Sequence, residues 1–391
     1  MSNRLQQEVW ALNRCSGCGS CTAACSKGVL YWGAEQHPLL EEREKRLGLS
    51  KLKLRTCEVC EHFCELSCPR LVERVPMEAQ MIVSARSREW AGGVGGSPAE
   101  VIHALLVAAC AADLIDGVIL PDVDPWSLRP VTRIATTPDE ILSSSMLPYL
   151  WTPVLSQLNE AIFQRGLTRL AIVGTPCVAE GARRLMTSSH ERLWPYREAI
   201  RLTISSFCSG VYMPHVIDEL LDRGLGIRRQ QIRSLSTRAG DGMLLVALWD
   251  GTERAVPLTE VEPFTRAGCG SCDDYLGESA DLAVGAIGAP DGHAALIVRT
   301  DEGQHFVRCA VSAALLEVGD GVDLGALHAA KTEKDRRARA QALDDVRILM
   351  LDALQDAGKR EKVRKEFAHL CGASPAGTKK EEVGCGHCNG C

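Results

Sequence analysis

Cysteine placement constrains this chain more than any other feature. It holds 18 cysteines in 391 residues, eight between Cys15 and Cys68 and four between Cys371 and Cys391. The other six are Cys110, Cys177, Cys208, Cys269, Cys272 and Cys309. Small secreted proteins use many cysteines as a disulfide framework. This chain is too long for that reading. Its first residues, Met1-Ser2-Asn3-Arg4, lead into no apolar stretch of signal type, so a cytoplasmic protein is expected. In a reducing compartment, clustered cysteines read as metal or cluster ligands.

The first run is Cys15-x2-Cys18-x2-Cys21-x3-Cys25, close to the bacterial ferredoxin spacing. Three thiolates three residues apart on a tight loop can face one 4Fe–4S cube, and Gly17 and Gly19 let the backbone close around it. The second run is Cys57-x2-Cys60-x3-Cys64-x3-Cys68-Pro69, with one extra residue in its middle spacer. In two-cluster ferredoxins the fourth cysteine of each run ligates the other cluster. The favoured pairing is therefore Cys15, Cys18, Cys21 and Cys68 on one cluster and Cys57, Cys60, Cys64 and Cys25 on the other. The uncrossed pairing stays open. Two zinc knuckles are the alternative, although zinc sites use paired CxxC elements more than runs of four. The tail repeats the three-ligand spacing in Cys385-x2-Cys388-x2-Cys391, and Cys371 supplies a candidate fourth ligand. A cluster, a zinc site involving His387, or free thiols are all compatible with it.

The remainder reads as mixed α/β. Apolar residues make up 46% of the chain, enough for a sizeable core, and the formal charge of −6 lacks the basic footprint of a nucleic-acid binder. The longest apolar run, Ala104 to Ala112, is nine residues, too short to span a bilayer. Five stretches follow from the pattern. Residues 1–90 form a ferredoxin-like iron–sulfur domain, and 91–185 and 186–320 the mixed-sheet core. Residues 321–370 form a charge-rich helical extension and 371–391 a Cys-rich tail. Helices are predicted at 98–114, 153–164 and 214–223, with one or two more in 331–370. Strands are predicted at 117–121, 168–173, 200–205, 243–249, 282–287, 294–299 and 305–309. The charged run Lys331 to Arg339 reads as a solvated helix face. Ser97, Pro98 and Glu100 give a capping-box helix start after the glycine-rich join Gly92–Gly96. That join reads as a phosphate-cradling loop or as a plain linker.

Cys177 and Cys208 are placed just after predicted strands, where α/β sheets build their sites. With Cys269 and Cys272 they make the four ligands a further cubane needs. Gly174-Thr175-Pro176-Cys177, Phe207-Cys208, and Cys269-x2-Cys272-x-Asp274 through Ala280-Asp281 to Gly285 resemble the coenzyme F420 hydrogenase/dehydrogenase beta-subunit family. Leu114 to Val118 and Ile297 to Thr300, read as the start of a strand pair, extend the resemblance, which covers roughly residues 91–310. It implies an iron–sulfur flavoprotein oxidoreductase with FAD and at least one 4Fe–4S cluster; the two N-terminal cysteine runs bring the expected number to three, with a candidate fourth at the tail. Electrons would pass between an organic hydride donor (coenzyme F420 by resemblance) and a protein partner or larger redox complex. It implies that Cys177, Cys208, Cys269 and Cys272 hold the cluster beside the flavin. Gly95, Gly96 and Ser97 would lie on FAD, with Thr175 and Pro176 lining the same pocket. A ferredoxin-driven reductase and a flavin-free electron-transfer subunit are the alternatives. Asp274 and Asp281 read as turn caps or supporting hydrogen-bond acceptors.

Overall fold

A computed structural model describes residues 4–25, 27–33, 36–40, 62–90, 93–124, 126–145, 150–238 and 242–355. Cys57, Cys60 and the tail cysteines Cys371, Cys385, Cys388 and Cys391 lie outside them. Residues 1–339 form one compact unit and residues 340–391 a second.

The strands are β1 (Leu30–Tyr31), β2 (Leu39–Leu40), β3 (Met81–Trp90), β4 (Gly93–Gly95), β5 (Gly117–Val123), β6 (Pro130–Ala135) and β7 (Leu170–Gly174). They continue as β8 (Ile200–Ser206), β9 (Ile232–Arg238), β10 (Met243–Leu248), β11 (Glu253–Pro257), β12 (Leu282–Gly285), β13 (Ala294–Val298) and β14 (Leu316–Gly319). Nine of them make one mixed sheet in the order β14-β3-β13-β12-β8-β7-β5-β6, with β4 paired to β3. β5, β7, β8 and β12 run parallel at its centre, flanked by antiparallel neighbours. The expected mixed α/β core is therefore present. Parallel strands covered on both faces need near-continuous apolar runs, and β5 and β7 are buried along their whole length.

Alternation divides those strands between two cores. Val118, Leu120, Ala171 and Val173 face the Pro98–Ala111 and Asp301–Ser312 helices. Ile119, Leu170 and Ile172 face the Pro176–Thr187 helix and the helical stretch from Val154. The capping box at Ser97 and Glu100 forms as the sequence predicts. β9, β10 and β11 form a separate three-stranded sheet with its own apolar cluster.

Three local readings need correction. Residues 305–309 lie inside the Asp301–Ser312 helix rather than in a strand. Phe306 and Val307, an aromatic and a β-branched residue side by side, mimic a strand, but Thr300 accepts a hydrogen bond from the Gly303 N–H, and Asp301 and Glu302 fill the first turn. Residues 81–90, at the end of the cysteine-rich segment, form β3, which lies between β13 and β14 in the main sheet. The final helix starts early, at Leu324, and is described to Gln355.

Two carboxylates, half-buried Asp116 and buried Asp281, fix the strands that carry the site. Asp116 accepts from the Thr168 N–H, the Thr168 hydroxyl and the Arg169 N–H, each at 2.9 Å, tying the start of β5 to that of β7. Asp281 accepts from the Thr203 N–H at 2.8 Å and its hydroxyl at 2.7 Å, and from the Thr300 hydroxyl at 2.9 Å. Its other partner is Arg183 at 2.9 Å, on the Pro176–Thr187 helix. One carboxylate thus locks β8, β12 and the helix that begins beside Cys177. Asp274 accepts from the N–H groups of Gly277 and Glu278, a turn cap as expected.

Candidate functional site

β7 ends at Gly174 and β8 at Ser206, so Cys177 and Cys208 both stand at the carboxyl edge of neighbouring parallel strands. Cys177 opens the Pro176–Thr187 helix, with the Thr175 hydroxyl 3.1 Å from its sulfur. Thr175 does not cap that helix with its side chain. The Cys208 N–H donates to the Tyr275 carbonyl at 3.0 Å, which brings the loop of Cys269 and Cys272 to the same edge. Cys177 senses the charges of Cys272 and Cys208, and Cys208 those of Cys269 and Cys272. The four cysteines predicted together are together.

Burial decides most of their chemistry. It pushes the Cys177 thiol well up and the Cys208 thiol up to about 12. Burial also acts to raise Cys272, but Arg70 and Lys334 together pull it below the ordinary thiol value.

The N-terminal thiols form a second group. Cys21 lies in the short helical turn Ser20–Ala23 and Cys64 in Phe63–Leu66, with Cys68 just beyond. Cys21, Cys64 and Cys68 are buried with Leu5, Val9, Trp10 and Leu30, and Cys15 and Cys25 pack against them. Burial drives the Cys21 thiol far up, reinforced by Cys15, Cys18, Cys68 and Cys64. Cys68 is pushed up to about 12 by burial and by Cys18.

The two groups meet through Cys18, the first charge after burial that Cys177 senses. Gly181 permits the approach. A Cβ there would lie 3.3 Å from the Cys18 sulfur and 2.9 Å from Leu155 Cδ1. Gly268 does the same for the other loop, because a Cβ there would overlap the Cys15 carbonyl. Among the described residues, no three His, Cys, Asp or Glu side chains converge closely enough to hold a single metal ion. A cubane presents four separate iron corners and takes thiolates spread around it.

Three cations escaped the sequence reading. Arg266 is fully buried, donates to the Cys15 carbonyl at 3.2 Å and to the Gln36 carbonyl, and lies 4.3 Å over the Trp151 ring. Trp151 in turn donates to the Gly17 carbonyl at 3.0 Å. Arg70 and Lys334 flank the Cys272 side. Nothing in a one-dimensional charge pattern separates these residues from solvated arginines and lysines.

The glycine loop lies elsewhere along the sheet. Gly95 sits opposite Ser87 in the β3–β4 pair. Gly96 touches backbone at Gly292 and His293, between β12 and β13. The Ser97 N–H and hydroxyl are both committed to the Glu100 carboxylate, at 2.9 and 2.8 Å. Thr175 instead lines a small cleft with Cys18, Pro121, Trp151, Gly174 and Cys177. Pro176 occupies the first turn of the helix and is buried.

The class the fold defines is a mixed α/β sheet with cysteines at the carboxyl edge of its parallel strands. Residues 82–159 match the sequence profile of the coenzyme F420 hydrogenase/dehydrogenase beta subunit N-terminus, and residues 167–323 that of its C-terminus. The chain belongs to this family of oxidoreductases. An uncharacterized protein of Methanocaldococcus jannaschii is 29% identical over 352 residues, spanning 86% of this chain and 97% of its own. The coenzyme F420 hydrogenase subunit beta of Methanothermobacter thermautotrophicus is 28% identical, over 60% of this chain and 83% of its own. A coenzyme F420-dependent sulfite reductase of Methanocaldococcus jannaschii is 24% identical over 85% of this chain, which spans 52% of that protein. The fold is similar to a chain of the F420-reducing nickel–iron hydrogenase complex from Methanosarcina barkeri. The TM-score is 0.60 at 23% identity, covering 69% of this chain and 93% of that one. No helix among the described residues is long and apolar enough to cross a membrane.

Proposed function

We propose that this chain is the flavin- and cluster-bearing subunit of an F420-linked oxidoreductase that exchanges electrons with a protein partner. The observation that carries the proposal is the convergence of Cys177, Cys208, Cys269 and Cys272 at the carboxyl edge of β7 and β8, abutting the N-terminal thiols through Cys18. When bound, FAD and the clusters supply the conversion between a hydride and single electrons; the protein supplies position and potential.

Each of the chain's own groups has a role in this reading. Cys177, Cys208, Cys269 and Cys272 hold the cluster nearest the flavin. Cys15, Cys18, Cys21 and Cys68 hold the next, a crossed pairing supported by the electrostatic contact of Cys68 with Cys18 and Cys15. Cys25 and Cys64, with Cys57 and Cys60, are assigned to a third. The tail cysteines are assigned to a fourth on spacing alone. Thr175, whose hydroxyl lies 3.1 Å from the Cys177 sulfur, and the backbone of Gly95 and Gly96 are assigned to the flavin on family resemblance. Asp281 holds the strands and helix in place and moves no proton.

The relatives' names support the partner assignment. One is named as a subunit of a hydrogenase, and the sulfite reductase carries a region like this chain within a longer polypeptide. The test is anaerobic purification, followed by flavin and iron analysis and an assay of reduced F420 oxidation with a dye acceptor. The proposal predicts bound flavin and F420-dependent dye reduction. A protein with full iron, no flavin and no F420 oxidation would be an electron-transfer subunit instead.

A further inference from the structure

Most of the run Lys331 to Arg339 is solvated, but Lys334 is only 2% exposed. It lies on the helix stripe Leu327, Lys331, Lys334 and Ala338, spaced as one face, and Leu327 and Ala338 are also buried. Its ammonium donates to the Ser209 carbonyl at 2.7 Å, one residue beyond Cys208. From there it acts electrostatically on both Cys208 and Cys272.

A second cation reaches the same thiols from the N-terminal segment. Arg70 donates to the Gly268 carbonyl at 3.1 Å, beside Cys269, and lies within electrostatic reach of Cys272, Cys177 and Cys269. Its Nε is buried without a partner. No carboxylate among the described residues forms an ion pair with Arg70 or Lys334. Asp273, whose charge Arg70 does influence, is already paired with Arg74 at 2.8 Å.

A buried cation without a counter-charge is strongly disfavoured. Two of them converge on one group of four thiols. A 4Fe–4S cluster in four thiolates carries a net negative charge that grows by one on reduction, and charge near the cluster is a lever on its potential. We infer that Lys334 and Arg70 are built-in counter-cations of a cluster held by Cys177, Cys208, Cys269 and Cys272, and that they raise its reduction potential. The inference rests on the cluster assignment above. Its chemistry is a one-electron change at the cluster, in which the two cations offset the added charge without gaining or losing a proton.

The test uses full-length protein purified anaerobically. Iron and labile sulfide are counted first, then each cluster's midpoint is read by EPR-monitored redox titration. In Lys334→Met and Arg70→Met, iron should stay at the wild-type level and one cluster should become at least tenfold harder to reduce at fixed potential. For a one-electron couple that is a downward shift of about 59 mV or more. Lys334→Arg, which keeps the charge, should restore the wild-type midpoint. If Lys334→Met instead loses one cluster and Lys334→Arg keeps it, the counter-charge role also stands. Full iron with every midpoint unchanged in both Met variants overturns the inference, as does equal cluster loss in Lys334→Met and Lys334→Arg. Failure of the cluster assignment itself shows separately, as unchanged iron in Cys208→Ala.

Discussion

Gly268→Ala tests whether the N-terminal cysteine loop and the Cys269 loop are built to touch. Gly268 does not have a left-handed backbone, so crowding is the main cost of adding a methyl group. That methyl would overlap the Cys15 carbonyl oxygen, lie 2.5 Å from its carbonyl carbon and 3.0 Å from the Arg14 carbonyl oxygen. Carbon atoms in contact prefer about 3.5–4.0 Å, so one loop must retreat by about 1 Å. Both neighbours are backbone and cannot swing away as a side chain tip would. Overpacking of this kind costs about 1–3 kcal/mol. The retreat also strains the Arg266 hydrogen bond to Cys15 and the Arg70 hydrogen bond to Gly268, each of the charged class, about 1.5–3 kcal/mol when lost. About 3 kcal/mol is a fair total. At an unfolding entropy of about 2.1 cal/mol/K per residue, the 339-residue unit should melt roughly 4 °C lower. The assay is an anaerobic thermal melt paired with iron analysis. Gly224→Ala is the control, because a Cβ there meets nothing closer than 3.4 Å; it should be neutral or stabilising by up to about 1 kcal/mol. A Gly268→Ala melt within 1 °C of wild type, with full iron, would refute the reasoning.

Asp116→Ala should destabilise by about 2 kcal/mol, since it strips the acceptor from three donors. Burial opposes its charge, but the Thr168 and Arg169 donors win and hold its carboxyl below the usual aspartate range. The contribution is therefore complete above the unfolded value of about 3.9 and fades as pH falls through the lower folded value. The stability gap to Asp116→Asn should narrow only below about pH 4; a gap that narrows at neutral pH would contradict this. Ser97→Ala should cost about 1 kcal/mol through the lost cap while leaving flavin content unchanged, because Glu100 already occupies its polar groups. A fall in flavin would return Ser97 to the cofactor.

The parallel core was legible because its strands must be largely apolar, as 117–121 and 170–173 are, while 200–205 places Ile200, Leu202 and Ile204 at alternate positions. The nearness of Cys177 and Cys208 was legible too, since both follow neighbouring strands of that core. β3 was not: Met81 to Trp90 interleaves serine and arginine with its apolar residues, and only its pairing with β13 and β14 makes it a strand. The 305–309 segment misled because a five-residue stretch with Phe306 and Val307 is too short to separate strand from helix; the Thr300 cap upstream was the better guide. Lys334, Arg70 and Arg266 were hidden for a different reason. Their neighbours in space are cysteines and backbone carbonyls from distant segments, so no local pattern marks them.

Iron and labile sulfide per chain, compared between wild type and Cys208→Ala, test the central claim most directly. Cys208 stands at the end of β8, so its truncation to alanine removes one thiolate and leaves the sheet intact. The account predicts a loss of about four iron and four sulfide per chain, with the Cys15, Cys18, Cys21 and Cys68 cluster still visible by EPR. Unchanged iron and sulfide would contradict it and remove Cys208 from the ligand set.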